Sequence, residues 1–348
     1  MGRTAALCFA LAAAAFGARA QSWATHAFCD PAEIIVDDAV FAPQGRSELE
    51  DQAAAIPNAN GRFWRVTSST GAVSHLWGTM HSSHQTVLDL PEAVLTTLDG
   101  AQKVALEIDP TFPDRDSYAR YIRGDDLFRP LRSNFRFSDL GLSRDIERHL
   151  GNRLVSLGWH RGALDEMTFG GLSNLLLFDP CEDFTAGVLP TQDSYIQTRA
   201  HIAGIPLLAL EPTDRLPQKL NQPDNADLAR AIIATYAIYL LPGATAQHRA
   251  TALALYKEGR IGLLMAWDAA SVIGPLGDEG PDLYARMTDY LLNERNIDFV
   301  EAAGASLDEG GLFLAVGNFH LPGEQGIVAL LRAKGFDVTR VVLPGEAP

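Results

Sequence analysis

Short runs in which apolar or β-branched residues alternate with polar ones open the readable part of the chain. Phe63-Trp-Arg-Val-Thr67 and Val73-Ser-His-Leu-Trp77 flank Ser68-Ser-Thr-Gly71, the pattern of two strands around a hairpin turn. Pro91 to Leu98 predicts a short helix with proline in its first turn, and Val104 to Asp109 a strand that Pro110 stops. Helix-like spacing then recurs over Arg144 to Leu157, Leu172 to Phe178, Gln192 to Ala203, Asp227 to Leu241, Ala246 to Glu258, Ile261 to Ala269 and Asp282 to Asn293. One strand, Ile205 to Leu210, interrupts these helices. The end returns to strand, helix and strand: Leu312 to Val316, Glu324 to Ala333 with Gly335 as its stop, and Val338 to Leu343, the size of a parallel βαβ unit. The predicted class is α/β (α+β): a central mixed β-sheet built from N- and C-terminal segments, flanked by helices. Residues 61–345 read as a single domain with a helical insert at about 111–300, after an irregular lead-in over 21–60.

Residues 1–20 have the layout of a secretory signal peptide: Arg3, an Ala/Leu/Phe-rich stretch, and Ala18-Arg19-Ala20 before Gln21. The stretch is short of the roughly 20 strongly apolar residues of a bilayer span, so no integral membrane anchor is expected after cleavage. The implied location is periplasmic or secreted. Losing Arg3 and Arg19 with the leader takes the formal charge from −15 to −17, which argues against nucleic acid as a partner. Cleavage also removes Cys8, leaving Cys29 and Cys181, an even pair that predicts one disulfide in an oxidising compartment.

Two distant segments carry the chemistry. Gly78-Thr-Met-His81 and Gly317-Asn-Phe-His320 each follow a strand-like run, so each glycine lets the backbone leave a ladder and each histidine lies just past a strand end. With 30 Gly and 9 His in 348 residues, about 0.8 GxxH matches arise by chance, so the strand context carries the signal. Open α/β sheets bind ligands beyond the carboxyl ends of their strands, which lets these two histidines share one pocket. Glu107 and Asp109 close a third strand with two carboxylates on one face. Such a set suits a divalent metal or general acid/base work. No HExxH, GxSxG, Walker or GxGxxG pattern occurs in its required context, which sets aside zincins, serine hydrolases and nucleotide-binding folds.

Together these residues resemble the TraB/GumN family, which includes the Tiki proteins. The resemblance rests on Leu76-Trp-Gly-Thr-Met-His81 with Leu90-Pro91, Leu106-Glu-Ile-Asp109, Asp193 and Ala200 in a helix leading to Leu210-Glu211, Glu294-Arg295-Asn296, and Ala315 to Gly326. It implies a fold similar to erythromycin esterase and ChaN-like proteins, with the paired histidines and the Glu at the active centre. It also implies hydrolysis of peptide or amide bonds of a peptide or small-molecule substrate, dependent on a divalent metal ion (Mn, Co or Zn). Asn318 and Phe319 depart from the small residues commoner there, with consequences for pocket width, and Arg260 replaces a frequent acid at the surface.

On this reading His81, His320 and Glu107 are metal ligands or catalytic groups, Glu107 doubling as general base. Arg295 either stabilises an oxyanion and pairs with Glu107, or gains from the dipole of the helix it ends. Asn296 and Glu211 orient these groups, as does Asp109, although Asp before Pro is also ordinary turn chemistry. His84 is a lesser ligand candidate, His75 an ordinary half-buried strand residue, and Trp267 packing for the insert. The alternative function is a non-catalytic protein that sequesters a small peptide or a haem-like ligand through one histidine.

Overall fold

A computed structural model describes residues 31, 33–108, 137–156, 159–176, 191–238 and 246–347. Cys29, Cys181, Asp109 and the leader lie outside these residues. Six strands form one mixed sheet in the order β4-β3-β5-β2-β1-β6: β1 (Phe63–Thr67), β2 (Val73–Thr79), β3 (Lys103–Leu106), β4 (Leu207–Ala209), β5 (Leu312–Gly317) and β6 (Asp337–Arg340). The predicted hairpin is present, with Phe63 opposite Trp77 and Thr67 opposite Val73. β4, β3, β5 and β2 run parallel, and only β1 is antiparallel to its neighbours.

Alternation along the strands sorts the core onto two faces. Trp77, Phe313, Ala315, Val104 and Leu106 point to one side, against the helices Glu92–Asp99, Gln192–Ala203 and Ile261–Ile273. Leu76, Leu314, Val316, Ala105 and Val338 point to the other, against the helices Arg295–Glu309 and Ile327–Ala333. The insert builds a further cluster of its own from residues such as Leu150, Met167, Ile232 and Ile233.

The final strand, helix and strand do not form a simple adjacent βαβ unit. β5 already pairs with β3 and β2, so β6 passes both β2 and β1 to reach the open edge of β1. The lead-in is not irregular throughout. A 3-10 turn at Asp38–Phe41 and a helix at Arg46–Ala54 bury Phe41 and Leu49. Only Leu49 and Ala53 of that helix face inward, an apolar stripe too narrow to register as a periodicity. Arg260, expected merely at the surface, is ion-paired to Glu50 and ties this helix to the body.

The end of the chain is held as firmly. Glu346 accepts hydrogen bonds from Arg62 Nε at 3.0 Å and Arg340 Nη2 at 3.2 Å, with its side chain fully buried. Arg62 in turn lies over the rings of Trp77 and Tyr256.

His75 stacks on Phe63, their ring centroids 5.3 Å apart, and burial followed by the nearby charge of Arg65 lowers its pKa. A histidine held neutral in the folded chain costs stability as pH falls below its unfolded pKa, about 6.5, because only the unfolded chain then takes up the proton freely. The stability lost between pH 7.5 and pH 5 should therefore shrink in His75→Phe, measured by urea unfolding at both pH values. An unchanged loss would remove His75 from the acid sensitivity.

Candidate active site

Strand register brings the two GxxH motifs side by side. Thr79 pairs with Gly317 across β2 and β5, and Leu106 pairs with Ala315 across β3 and β5, so Glu107 emerges beside Gly317. β4 adds Glu211, whose backbone N–H bonds Glu107 O at 3.0 Å. His81, Glu107, Glu211 and His320 thus all follow the carboxyl ends of parallel strands, where the fold class places ligand sites.

The two glycines have separate tasks. A Cβ on Gly78 would lie 2.7 Å from Leu321 Cδ1 and 3.2 Å from Asn318 Cα, so glycine is what lets the motifs touch. A Cβ on Gly317 would stand 3.2 Å from Glu107 Oε1, 3.5 Å from His320 Cδ2 and 3.5 Å from His81 Nε2. The space beside Gly317 is therefore the point on which the three predicted groups converge.

Hydrogen bonds fix what each group presents there. Asn296 Nδ2 donates to Gln325 O at 2.8 Å, which turns Asn296 Oδ1 to His320 Nδ1 at 2.6 Å. That oxygen can only accept, so His320 Nδ1 carries the proton and Nε2 holds a lone pair, 3.6 Å from Glu107 Oε1. His320 is buried against Phe299, and desolvation pushes its pKa down to about 3. It is neutral over the working pH range.

His81 is oriented by a carboxylate. Its Nδ1 donates to Asp193 Oδ2 at 2.9 Å, and Asp193 Oδ1 accepts from the Thr79 hydroxyl at 2.7 Å. The charge of Asp193, working against partial desolvation of the ring, raises the His81 pKa to about 9. The half-exposed ring is thus cationic at neutral pH, with Nε2–H turned to the convergence point.

Glu107 is ionised. Burial opposes its charge, but Arg295, the cationic His81 and the Gly317 N–H outweigh that cost and hold the carboxyl well below the usual range. Gly317 N donates to Oε1 at 2.7 Å and Arg295 Nη2 to Oε2 at 2.6 Å. Arg295 also donates Nε and Nη2 to Glu211 Oε1, at 2.9 and 2.6 Å, and Nη1 to Leu291 O.

Arg295 does not end a helix, so the dipole reading of it is corrected. The helix Gly280–Thr288 continues through a π-helical turn, Asp289–Glu294, into Arg295–Glu309. The polar run Glu294-Arg295-Asn296 breaks the apolar period and so imitates a terminus; Arg295 and Asn296 are in fact directed inward to charged and polar partners. π-turns recur at functional sites because they re-aim side chains.

His84 is drawn into a different task. It caps the short helix Gln85–Leu88, its Nδ1 accepting from Thr86 N. His75 is a strand residue as expected, whereas Trp267 packs in the sheet core rather than in the insert's own cluster, edge-on to Phe41 with its Nε1 bonded to Val40 O. Asp193 and its neighbour Gln192 are the positioning residues that sequence reasoning left without a role. Gln192 Oε1 accepts from Tyr256 Oη, Trp77 Nε1 and Met80 N, which holds the turn carrying His81. An acid in a first helical turn is ordinary helix chemistry, so Asp193, although one of the residues that carry the family resemblance, gives no local sign of its bond to His81.

Two histidines and a carboxylate are donor types that divalent ions take, with the Nε2 proton of His81 lost on binding. Each imidazole has its Nδ1 committed to an oxygen acceptor and turns the other ring edge inward, the arrangement that orients metal-binding histidines. Among the described residues, no three His, Cys, Asp or Glu side chains are drawn into a closed ligand set. No described helix is long and apolar enough to cross a membrane. No curated protein and no solved structure matches the chain. A model of the TraB/PrgY/gumN family matches residues 62–340, most of the sequence and every site residue above, and the chain therefore belongs to that family.

Proposed function

We propose that the chain hydrolyses peptide or amide bonds at the space beside Gly317. The observation that carries this reading is geometric: His320 oriented by Asn296, Glu107 held by Gly317 N–H and Arg295, and His81 held by Asp193 all border one space, and their surroundings favour a neutral His320, an ionised Glu107 and a cationic His81. Sites whose titrating groups are pushed apart in this way run acid and base chemistry at one pH.

His320 Nε2 and Glu107 Oε1 hold the attacking water and draw its proton, while His81 Nε2–H faces the developing oxyanion and then the leaving amine. Gly317 N–H and Arg295 keep Glu107 fixed and charged throughout. A Mn, Co or Zn ion would be held by His320, Glu107 and a His81 that has given up its Nε2 proton, and would supply Lewis acidity at the scissile carbonyl in place of that proton. The substrate is a peptide or small amide; export, removal of residues 1–20 and a Cys29–Cys181 bridge belong to the same proposal.

The test uses the exported chain, whose intact mass reports leader removal and the loss of two hydrogens on bridging. Wild type, His320→Ala and Glu107→Gln are incubated with Mn, Co or Zn and a peptide library. Cleavage by wild type and its loss in both variants is the expected result, with about one equivalent of metal retained by wild type and released in His81→Ala. Full turnover in His320→Ala would overturn the shared site, and turnover resistant to chelators would leave the acid/base groups to work alone.

A further inference from the structure

Behind Arg295 a row of alternating charges runs outward to the surface. Arg295 pairs with Glu211, Glu211 Oε2 with Arg215 Nη1 at 3.3 Å, and Arg215 Nη2 with Asp298. The Asp298 side chain is 44% exposed and that of Glu211 only 6%, so the row links solvent to the buried centre. We propose that Arg215 is a positioning residue for the hydrolytic centre, acting through Glu211 to keep the Arg295 guanidinium on Glu107. The inference rests on the hydrolase reading above.

The argument turns on competition for one guanidinium. Arg295 Nη2 stands 2.6 Å from both Glu107 Oε2 and Glu211 Oε1, so the two carboxylates share it. An arginine and a carboxylate left to themselves favour a two-pronged pair, two donors on two oxygens. Glu211 offers Arg295 only one oxygen here, and both Nε and Nη2 crowd onto it. Its other oxygen, Oε2, is buried without a hydrogen bond and has the Arg215 cation as its close charged neighbour. Arg215 in turn is anchored from outside by Asp298.

Without the Arg215 charge, Glu211 gains by turning Oε2 to Arg295 as well, since a buried carboxylate oxygen with no partner is costly. The guanidinium then follows Glu211 and withdraws from Glu107. Glu107 would lose the contact that orients Oε2 and leaves Oε1 for the reaction. Lysine at 215 keeps the charge but offers one compact donor group in place of a fork, so it cannot hold Glu211 and Asp298 in the same geometry. Sequence position gives no hint of this role, because Arg215 opens the six-residue helix Arg215–Leu220 as an ordinary polar residue.

The experiment compares wild type, Arg215→Met and Arg215→Lys in peptide cleavage, thermal unfolding, and nitrogen-15 spectra of arginine side chains. The Arg295 Nε–H, on a side chain only 15% exposed and bonded to Glu211, supplies a slowly exchanging signal assigned by its loss in Arg295→Lys. In Arg215→Met, kcat should fall about tenfold with KM changed less than about twofold, and the Arg295 signal should move, while Arg215→Lys recovers part of both. A lower melting temperature with kcat and the Arg295 signal unchanged would make the row a stabilising ion network only, and would overturn the proposal. Should wild type cleave nothing, the hydrolase reading fails separately, and the Arg295 signal alone decides whether Arg215 governs the guanidinium.

Discussion

Arg295→Met is expected to abolish cleavage and to lower stability by about 3–5 kcal/mol, the range found when one partner of a buried ion pair is removed. The size follows from what remains behind. Glu107 and Glu211 have side chains only 11% and 6% exposed, and both take hydrogen bonds from this one guanidinium, Arg215 being a second cation beside Glu211 alone. Glu107 would keep the Gly317 N–H, a single donor against the full cost of desolvating a carboxylate. The pH dependence has a definite sign. In the wild type, Glu107 has a folded pKa depressed below its unfolded value, so its contribution is present above about pH 4.5 and is lost only as pH falls toward the depressed value. In the variant, burial is opposed only by His81 and the Gly317 N–H, so the folded pKa of Glu107 rises from its depressed value. The variant's deficit is then greatest at neutral pH and narrows as acid protonates Glu107. Urea unfolding of both proteins between pH 4.5 and 7.5 measures the gap. A deficit below about 1 kcal/mol at pH 7.5 would mean that Arg295 is not the counter-ion the geometry makes it.

Much of this centre is legible from local rules, and the reason differs by residue. The strands carrying His81, Glu107 and His320 announce themselves because alternation and β-branching report a half-buried or fully buried ladder, and because a glycine where a strand ends marks a close approach. Their meeting is a consequence of register, Thr79 against Gly317, that parallel pairing at strand ends makes natural but that no single segment encodes. Arg295 is visible as a residue and misleading as an element, since its polar neighbourhood looks like a helix end while the chain continues through a π-turn. Asp193, Gln192 and Arg215 escape for the opposite reason. Each obeys a local preference so ordinary that its tertiary role leaves no trace: an acid and an amide in a first turn, a cation at a short helix. The helix Arg46–Ala54 escapes because two inward residues suffice to dock it, and the crossover to β6 because edge pairing is settled by which edges are already taken.

Gly317→Ala should leave the fold intact and still reduce cleavage at least about a hundredfold, the loss that a displacement near 1 Å produces at a reacting centre. Alanine is conformationally permitted, since Gly317 has φ −51° and ψ 138°, inside the region open to any L-residue. Stability is correspondingly near neutral: the closest contact of the new methyl is 3.2 Å, to a carboxylate oxygen, and the stiffer unfolded chain offsets the crowding by about 0.4–1 kcal/mol. What the methyl takes is the space between Glu107 Oε1, His320 and His81 Nε2, the place a water molecule or metal ion must occupy. The matching change at Gly78 separates occupation from packing. There the methyl would meet Leu321 Cδ1 at 2.7 Å and the backbone of Asn318 at 3.2 Å, so Gly78→Ala forces the two motifs apart and lowers the melting temperature. An inactive, fully stable Gly317→Ala beside a destabilised Gly78→Ala places the reaction in that space. Full activity in Gly317→Ala would move the chemistry elsewhere, because three groups pointed at an occupied position cannot act on anything between them.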